Sequence, residues 1–130
     1  MISRVAPRYF ELARPYLERA INYSDGRYSP LAVFEDIKSG NQQLWVITEG
    51  NIIGAATTKI VDYPERRTLF IQFMSGDDFS FWRGEGYERI AQYAKEKGCD
   101  SIEFFGRPGL KKHARELGFE ATYTVFERKL

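Results

Sequence analysis

The fold is decided by one stretch, DDFSFWRGEGYERIAQYAKEKGCDSIEFFGRPGLKKHARELGF, which runs from Asp77 to Phe119. Its first part repeats apolar or small residues every four positions, at Trp82, Gly86, Ile90 and Ala94. This spacing is typical of one face of an amphipathic helix. Gly98 follows at the place where a glycine in the left-handed conformation ends many helices. The pattern therefore predicts a long helix that stops at Lys97-Gly98.

A short apolar run and a second helix follow. Ile102–Phe105 is too short for a helix, so we interpret it as a buried strand. Pro108 suits the first position of the next helix, and Gly118 suits its end. With a strand predicted at Thr68–Met74, the order becomes strand, crossing helix and parallel strand.

The rest of the chain adds strands and helices on both sides of this unit. The predicted elements are a strand at Ile2–Val5, helices at Pro7–Asn22 and from Ser29-Pro30 to Ser39-Gly40, strands at Gln43–Thr48 and Asn51–Val61, and a half-exposed final strand at Phe119–Phe126. We therefore expect one domain over residues 1–130, of mixed α/β (α+β) class around one mostly antiparallel sheet.

Composition argues against several classes of function. The 19 basic residues nearly cancel the 18 acidic ones, whereas a nucleic-acid-binding domain usually has a clear basic excess. One arginine-rich segment, Arg4–Arg27, is interrupted by acidic residues. No apolar run approaches the ~20 residues that span a bilayer, and no apolar signal core follows Met1–Arg4, so neither a membrane segment nor secretion by a signal peptide is expected. A lone cysteine and a lone histidine predict no metal site.

The order of elements resembles the GNAT superfamily, the acetyl-CoA-dependent N-acyltransferases, over essentially the whole chain. Ala94–Cys99 and Leu117–Phe119 look like the ends of the family's two central helices. The resemblance implies a GNAT-like sheet of about six to seven strands flanked by about four helices. It also implies acetyl-CoA as the cofactor of an active member.

The family's pyrophosphate loop has the form Gln/Arg-x-x-Gly-x-Gly/Ala and opens the long helix with free backbone N–H groups. Arg83-Gly84-Glu85-Gly86 is a partial echo, so Arg83, Gly84 and Gly86 are the cofactor-binding candidates. Counted back from Cys99, however, these residues fall inside the helix, and the loop position holds Ser75–Ser80. Asp77 and Asp78 would repel a pyrophosphate there. Alternatively, the helix begins near Tyr87 and Arg83–Gly86 is the loop.

The family's general acid, typically a tyrosine four residues before the final Gly-Phe, is replaced here by Ala114. The nearby His113 would point about 100° away from that position. The asparagine that usually leads this helix is replaced by Arg107. With the loop and the tyrosine both missing, the active site looks degenerate, and we expect no catalytic residue and no cofactor.

Polar residues interrupt the two predicted central strands. Gln72, Glu103 and Arg107 are the residues expected in the cleft between them. A buried Glu103 would have a raised pKa and could act as a general base; alternatively, it pairs with Arg107 or faces solvent. If the protein is an active enzyme, we expect Glu103 and Tyr123 to carry the catalysis.

A narrower resemblance is to small GNAT-like proteins encoded in tailed-bacteriophage structural gene clusters. The segments that carry it are Leu44–Ile47, Ile60–Pro64, Gly76–Asp78, Ile102–Gly109 and the ending from Gly118-Phe119 through Tyr123–Leu130. It implies a virion-associated or assembly protein, located in the virion or the host cytoplasm. Its expected partners are other phage structural or assembly proteins, with a homo-oligomer as a further option. Aromatic residues are favoured in interfaces, and the interface candidates are Tyr9, Tyr16, Tyr23, Tyr28 and Trp82.

Overall fold

The computed structural model describes residues 1–106 and 108–130, and its central feature is a five-stranded sheet. The strands are β1 (Ile2–Val5), β2 (Gln43–Glu49), β3 (Asn51–Tyr63), β4 (Arg66–Gly76) and β5 (Ser101–Phe104). They lie in chain order across the sheet. The first four are antiparallel, and β5 runs parallel to β4. The parallel pair requires the crossing helix that the sequence predicts.

Helices lie in the connections of this sheet. They are α1 (Phe10–Ile21), which follows a 3-10 turn at Pro7–Tyr9, α2 (Pro30–Lys38), α3 (Phe79–Glu96), and α4 (Lys111–Glu116), which follows a 3-10 turn at Pro108–Leu110. Local features explain where two of these helices begin or end. At the start of α2, Ser29 Oγ accepts a hydrogen bond from the Ala32 N–H at 3.1 Å. At the end of α3, Gly98 adopts φ +73°. The predicted single mixed sheet with four α-helices is confirmed.

The predicted final strand at Phe119–Phe126 is wrong. These residues have no strand structure, so the described residues form five strands rather than six or seven. The Phe119 ring contacts the rings of Tyr87 and Phe104, on the α3 side of the sheet. Further along, Tyr123 lines a cavity with Glu103 of β5, but the segment forms no strand pairing with β5.

Two apolar cores fill the two faces of the sheet. On one face, α3 packs through Trp82, Ile90 and Tyr93. On the other, α1 and α2 pack through a second cluster that includes Leu17 and Val33. Each fully buried side chain of this kind contributes about 1.5–3 kcal/mol. The two cores therefore hold α1, α2 and α3 firmly against the sheet.

The start of α3 is fixed by a close contact between backbone and indole. A Cβ at Gly76 would lie 2.6 Å from Gly54 Cα, and one at Gly54 would lie 3.0 Å from the Trp82 ring. Trp82 is buried and its Nε1–H donates to the Asp77 carbonyl at 2.7 Å. The small residues of β3 therefore make room for Trp82 and the end of β4.

Candidate functional site

The strands β4 and β5 separate at Gln72. Their paired register ends at Ile71 and Phe104, whereas β4 continues beside β3 as far as Gly76. On β3, Thr58 faces Ile71 and Thr57 faces Phe73, so Gln72 is an extra residue in β4. Such a β-bulge bends the strand and often lies next to a functional site. The end of the β4–β5 pairing therefore lies at the place where the sequence predicts a cleft.

Two buried oxygens near the bulge have no hydrogen-bond partner within the described residues. They are Gln72 Oε1 and Thr57 Oγ1, and Thr57 is completely buried. An unsatisfied buried polar group costs about 1–3 kcal/mol. Because Thr57 is completely buried, only the side chain of the half-buried Gln72 extends to the surface, where an incoming hydrogen-bond donor could satisfy its oxygen. The bulge is therefore the part of the cleft best suited to a polar ligand.

A cavity of about 260 Å³ lies at the other end of the β4–β5 pair. Its lining residues are Tyr63, Arg66, Glu103 and Tyr123. Glu103 and Tyr123, which sequence analysis assigns to catalysis in an active enzyme, thus lie at one cavity. Glu103 is half-buried and Tyr123 is 89% exposed. The arrangement places a carboxylate, a guanidinium and two phenols around a shallow opening.

The residues before α3 occupy the family's pyrophosphate position. The Asp77 carboxylate accepts a hydrogen bond from Arg19 at 2.9 Å, and the Asp77 N–H donates to the Ile53 carbonyl at 2.7 Å. Asp78 precedes the helix in the left-handed conformation, φ +52°, and its exposed carboxylate forms no ion pair with any residue that the structure describes. Both aspartates directly precede the positive end of the helix, although neither side chain caps it.

The alternative loop, Arg83–Gly86, lies inside α3. Because α3 begins at Phe79, the backbone N–H groups of Arg83, Gly84 and Gly86 belong to the helical hydrogen-bond ladder. These N–H groups are therefore not free to bind a phosphate. Gly86 packs against Trp82, since a Cβ there would lie 3.2 Å from the indole ring. At Gly84, the nearest atom would be Leu117 Cδ2 at 4.0 Å.

An aromatic trio fills the space between α3 and β5. Tyr87 stacks on Phe104 with ring centroids 5.9 Å apart, and Phe119 meets both rings edge-on. Burial raises the pKa of the Tyr87 hydroxyl, while the charge on Arg83 opposes that shift. Sequence analysis missed this trio because its three members are distant in sequence.

The last helix offers no general acid at the family position. Ala114 lies there, and its carbonyl accepts a hydrogen bond from the Phe119 N–H at 2.9 Å. His113 Nδ1 lies 3.9 Å from Glu116 Oε2 on the exposed surface of α4, consistent with a surface histidine. Arg107, the remaining cleft candidate, lies outside the described residues, as does its predicted pairing with Glu103.

The interface candidates divide into packed and exposed residues. Trp82 is only 4% exposed, so it cannot be a surface anchor. Tyr9, Tyr16 and Tyr28 pack against the α1–α2 core, and the Tyr16 hydroxyl donates to the Ile52 carbonyl at 2.9 Å. Tyr23 is 71% exposed. The most exposed aromatic residues missed by sequence analysis are Phe81, Phe105 and Phe126.

The arginine-rich segment is largely neutralised. Arg14 pairs with Glu18, Arg19 with Asp77, and Arg27 with Glu127. No group of three or more histidine, cysteine, aspartate or glutamate residues suited to a metal occurs within residues 1–106 and 108–130. In the same part of the chain, no helix is long and apolar enough to cross a membrane.

Comparisons with known proteins show the fold. Neither a family model nor a curated protein sequence matches this chain. Solved structures do: a ribosomal-protein-alanine N-acetyltransferase of Brucella melitensis biovar Abortus 2308 has a TM-score of 0.77 at 12% identity, covering 100% of this chain and 99% of its own. A predicted acetyltransferase of Clostridium acetobutylicum, solved with acetyl-CoA, has a TM-score of 0.74 at 16% identity, with coverage of 99% and 95%.

A third similar structure is named as a regulator and not as an acetyltransferase. A transcriptional regulator of Bacillus halodurans C-125 has a TM-score of 0.74 at 20% identity, covering 100% of this chain and 99% of its own. At these identities the likeness concerns the fold. The chain has the GNAT acetyltransferase fold, as the resemblance in its sequence implies.

Proposed function

We propose that this protein uses the GNAT fold for protein–protein contact and does not bind acetyl-CoA. The observation that carries the proposal is the pair Asp77 and Asp78 at the start of α3, together with the inclusion of Arg83–Gly86 in the helix. Two like unit charges 4 Å apart repel by about 4 kcal/mol near a protein surface. The partial positive charge at a helix N-terminus stabilises an anion by only about 0.3–1 kcal/mol. Arg19 offsets part of the charge of Asp77, so the exposed carboxylate of Asp78, which has no ion pair among the described residues, would supply most of the repulsion for a diphosphate at this position.

The partner class follows from the resemblance in the sequence. The small GNAT-like proteins of phage structural gene clusters suggest a virion-associated or assembly protein, with other structural proteins as partners. Exposed aromatic side chains support a contact function, because Phe81, Phe105 and Phe126 are each more than three-quarters exposed. Aromatic residues supply most of the energy of many interfaces.

Calorimetric titration of the purified protein with acetyl-CoA and with coenzyme A tests the proposal. We expect no binding heat at millimolar ligand. The variant Gly84→Glu is the control for the helix-internal glycines, and Asp77→Asn with Asp78→Asn is the control for the carboxylates. Micromolar binding by the unaltered protein that Gly84→Glu abolishes would contradict the proposal.

A second candidate function is acetyl-CoA-dependent N-acyl transfer, and the β4 bulge favours it. The unsatisfied oxygen of Gln72 at the bulge suits a polar ligand, and Glu103 and Tyr123 line a cavity at the other end of the β4–β5 pair. In such an enzyme the acceptor amine would attack the thioester carbonyl and the C–S bond would break; Glu103 would accept the proton of the amine, and Tyr123 would donate a proton to the leaving thiolate of coenzyme A. Acetyl transfer to small primary amines that Glu103→Gln abolishes would support this function.

A further inference from the structure

We propose that the outer edge of β1 binds an extended acidic segment of a partner protein, which adds to the sheet as an antiparallel strand while its carboxylates meet Arg4, Arg89 and Lys97. The inference rests on the proposed contact function and names the chemistry of one partner. Two independent features carry it. One is a strand edge with free backbone groups, and the other is a basic cluster without counter-ions beside that edge.

The outer edge of β1 has backbone groups that are free to pair. β1 is the first strand of the sheet and pairs only with β2 among the described strands. The Met1 amino group donates to the Thr48 carbonyl at 2.7 Å, and the Thr48 N–H donates to the Met1 carbonyl at 2.8 Å. Hydrogen-bonded and non-hydrogen-bonded pairs alternate along an antiparallel ladder. The backbone N–H and C=O groups of Ile2 and Arg4 therefore point away from β2, toward the place of an added strand.

The basic cluster, formed by Arg4, Arg89 and Lys97, lies beside this edge. Arg4 Cζ and Lys97 Nζ are 5.1 Å and 5.7 Å from the centre of the Tyr93 ring, and Arg89 Cζ is 5.4 Å from the centre of the Trp45 ring. The two rings are buried and meet edge-on with centroids 5.3 Å apart. They hold the three cations in one patch that joins β1 to α3.

No counter-ion compensates the basic cluster. None of its three side chains forms an ion pair with a residue that the structure describes. Arg89 is half-buried, and its Nη1 is buried without a hydrogen-bond partner among those residues. Burying part of a cation without an anion nearby is unfavourable, and the attraction of a carboxylate acts over several ångströms without contact to that nitrogen. An acidic partner would therefore meet a charge that this chain leaves uncompensated.

The other charges near the edge preserve its positive character. The first ten residues of the chain add Arg8 and contain no acidic residue. On α3, Glu85 and Glu96 are exposed, and neither of them pairs with the basic cluster within the described part of the chain. A carboxylate at the edge of β1 is thus attracted more strongly than it is repelled.

These charges favour an acidic partner over a second copy of the chain. Cations on an edge strand protect it from indiscriminate pairing, and a two-fold contact between two β1 edges would bring both basic clusters together. Side chains of an added strand alternate between the two faces of the sheet. Acidic residues suit the face of the cluster, and apolar residues suit the opposite face, where Val5 and Tyr9 pack against the α1–α2 core. The matching chemistry is an alternation of acidic and apolar residues.

Fluorescence anisotropy of a labelled peptide of three Glu-Val repeats, titrated with the full chain, tests the proposal. We expect saturable binding that weakens by about tenfold or more in Arg4→Glu, because this change reverses one charge of the cluster at an exposed position. The matched control is Lys112→Glu, which reverses an exposed charge on α4, beyond β5. It should change the dissociation constant by less than about twofold, since salt screens distant surface charges. A peptide of three Lys-Val repeats should not bind.

Backbone methylation of the peptide separates strand addition from general attraction of anions. In the antiparallel arrangement the glutamates lie opposite Ile2 and Arg4, so their N–H groups point toward β1 and those of the valines point away. N-methylation of the central glutamate keeps every charge and removes one hydrogen bond to β1, so it should weaken binding by about tenfold. N-methylation of the neighbouring valine is the matched control and should have little effect. Equal effects of the two methylations would overturn the strand arrangement.

The remaining outcomes are equally decisive. Absence of saturable binding at millimolar peptide would overturn the inference, and so would binding that Arg4→Glu leaves unchanged. A single-stranded oligonucleotide that binds more tightly and displaces the peptide would also overturn it and would assign the basic cluster to nucleic acid. The peptide titration reports on β1, whereas the coenzyme A titration reports on α3, so failure of this inference is distinguishable from failure of the proposed function.

Discussion

The two ends of the β4–α3 connection have opposite character. At the β4 bulge, Gln72 Oε1 and Thr57 Oγ1 are buried acceptors without partners. At the start of α3, two carboxylates and the tightly packed Trp82 occupy the place of a phosphate loop. The bulge thus has unsatisfied acceptors, whereas the helix start has carboxylates and close packing.

The largest expected effect concerns the packed end. Trp82→Ala should lower the free energy of unfolding by about 3–5 kcal/mol, because it leaves a cavity beside Gly54 and Gly76. The neighbouring exposed Phe81→Ala should change it by less than about 0.5 kcal/mol. Urea denaturation of both variants measures the difference. Equal small effects would mean that Trp82 does not hold the start of α3 in place.

Two adjacent threonines, Thr57 and Thr58, test the hydrogen bonding near the β4 bulge. Thr57→Val removes an unsatisfied buried hydroxyl and should raise the free energy of unfolding by about 1 kcal/mol. Thr58→Val should lower it by about 1–3 kcal/mol, because Thr58 Oγ1 accepts a 2.9 Å hydrogen bond from the buried Trp45 Nε1–H. Denaturant unfolding of the two variants measures the sign of each change in the free energy of unfolding. Destabilisation by Thr57→Val would show that its hydroxyl is already satisfied and would remove one reason for a ligand at the bulge.

The two glycines inside α3, Gly84 and Gly86, provide a test of where this helix begins. Gly84→Ala should stabilise the protein by about 0.5–1 kcal/mol, because alanine favours the helix and a Cβ meets nothing closer than 4.0 Å. Gly86→Ala should gain less or lose stability, since its Cβ would lie 3.2 Å from the Trp82 ring. Thermal unfolding of both variants shows which of the two is more stable. Strong destabilisation by Gly84→Ala would indicate a non-helical loop at this position.

The smallest expected effect is a loosening of the C-terminus at low pH. The hydrogen bond and charge of Lys129 lower the pKa of the Asp25 carboxyl below its ordinary value of 3.8. A lowered pKa in the folded state means that the contact stabilises the protein above that ordinary value and is lost as the pH falls through the lowered one. The ¹⁵N relaxation of residues 119–130 should then report greater mobility at low pH. Asp25→Asn should show that mobility already at neutral pH; unchanged relaxation in this variant would contradict the contact.

Sequence reasoning predicted the body of the fold and failed at its C-terminus. The helix face through Trp82, Ile90 and Ala94 is visible as a four-residue period because these side chains are buried together on one side of α3. The alternation in Phe119–Phe126 has the period of a strand, but a strand also needs a neighbour, and the contact of Phe119 with Tyr87 and Phe104 is not visible in sequence.

The candidate site was predicted in part. Gln72 and Glu103 stand out as polar interruptions of apolar strands, and the structure places one at the bulge and the other at a cavity. The unsatisfied oxygen of Thr57 was missed, because hydrogen-bond satisfaction depends on partners distant in sequence. The interface role predicted for Trp82 was wrong, since its place on the buried face of α3 outweighs the general preference of tryptophan for interfaces.

The most direct test of the central claim is amide NMR of the ¹⁵N-labelled protein during a titration with coenzyme A to millimolar concentration. This measurement locates a bound diphosphate, because phosphate contacts strongly shift the backbone amides of a helix start. We expect no saturable shift for the amides of Asp77–Trp82 or for those of Gly84 and Gly86. Saturable shifts confined to either group would contradict it and would identify a working coenzyme A site.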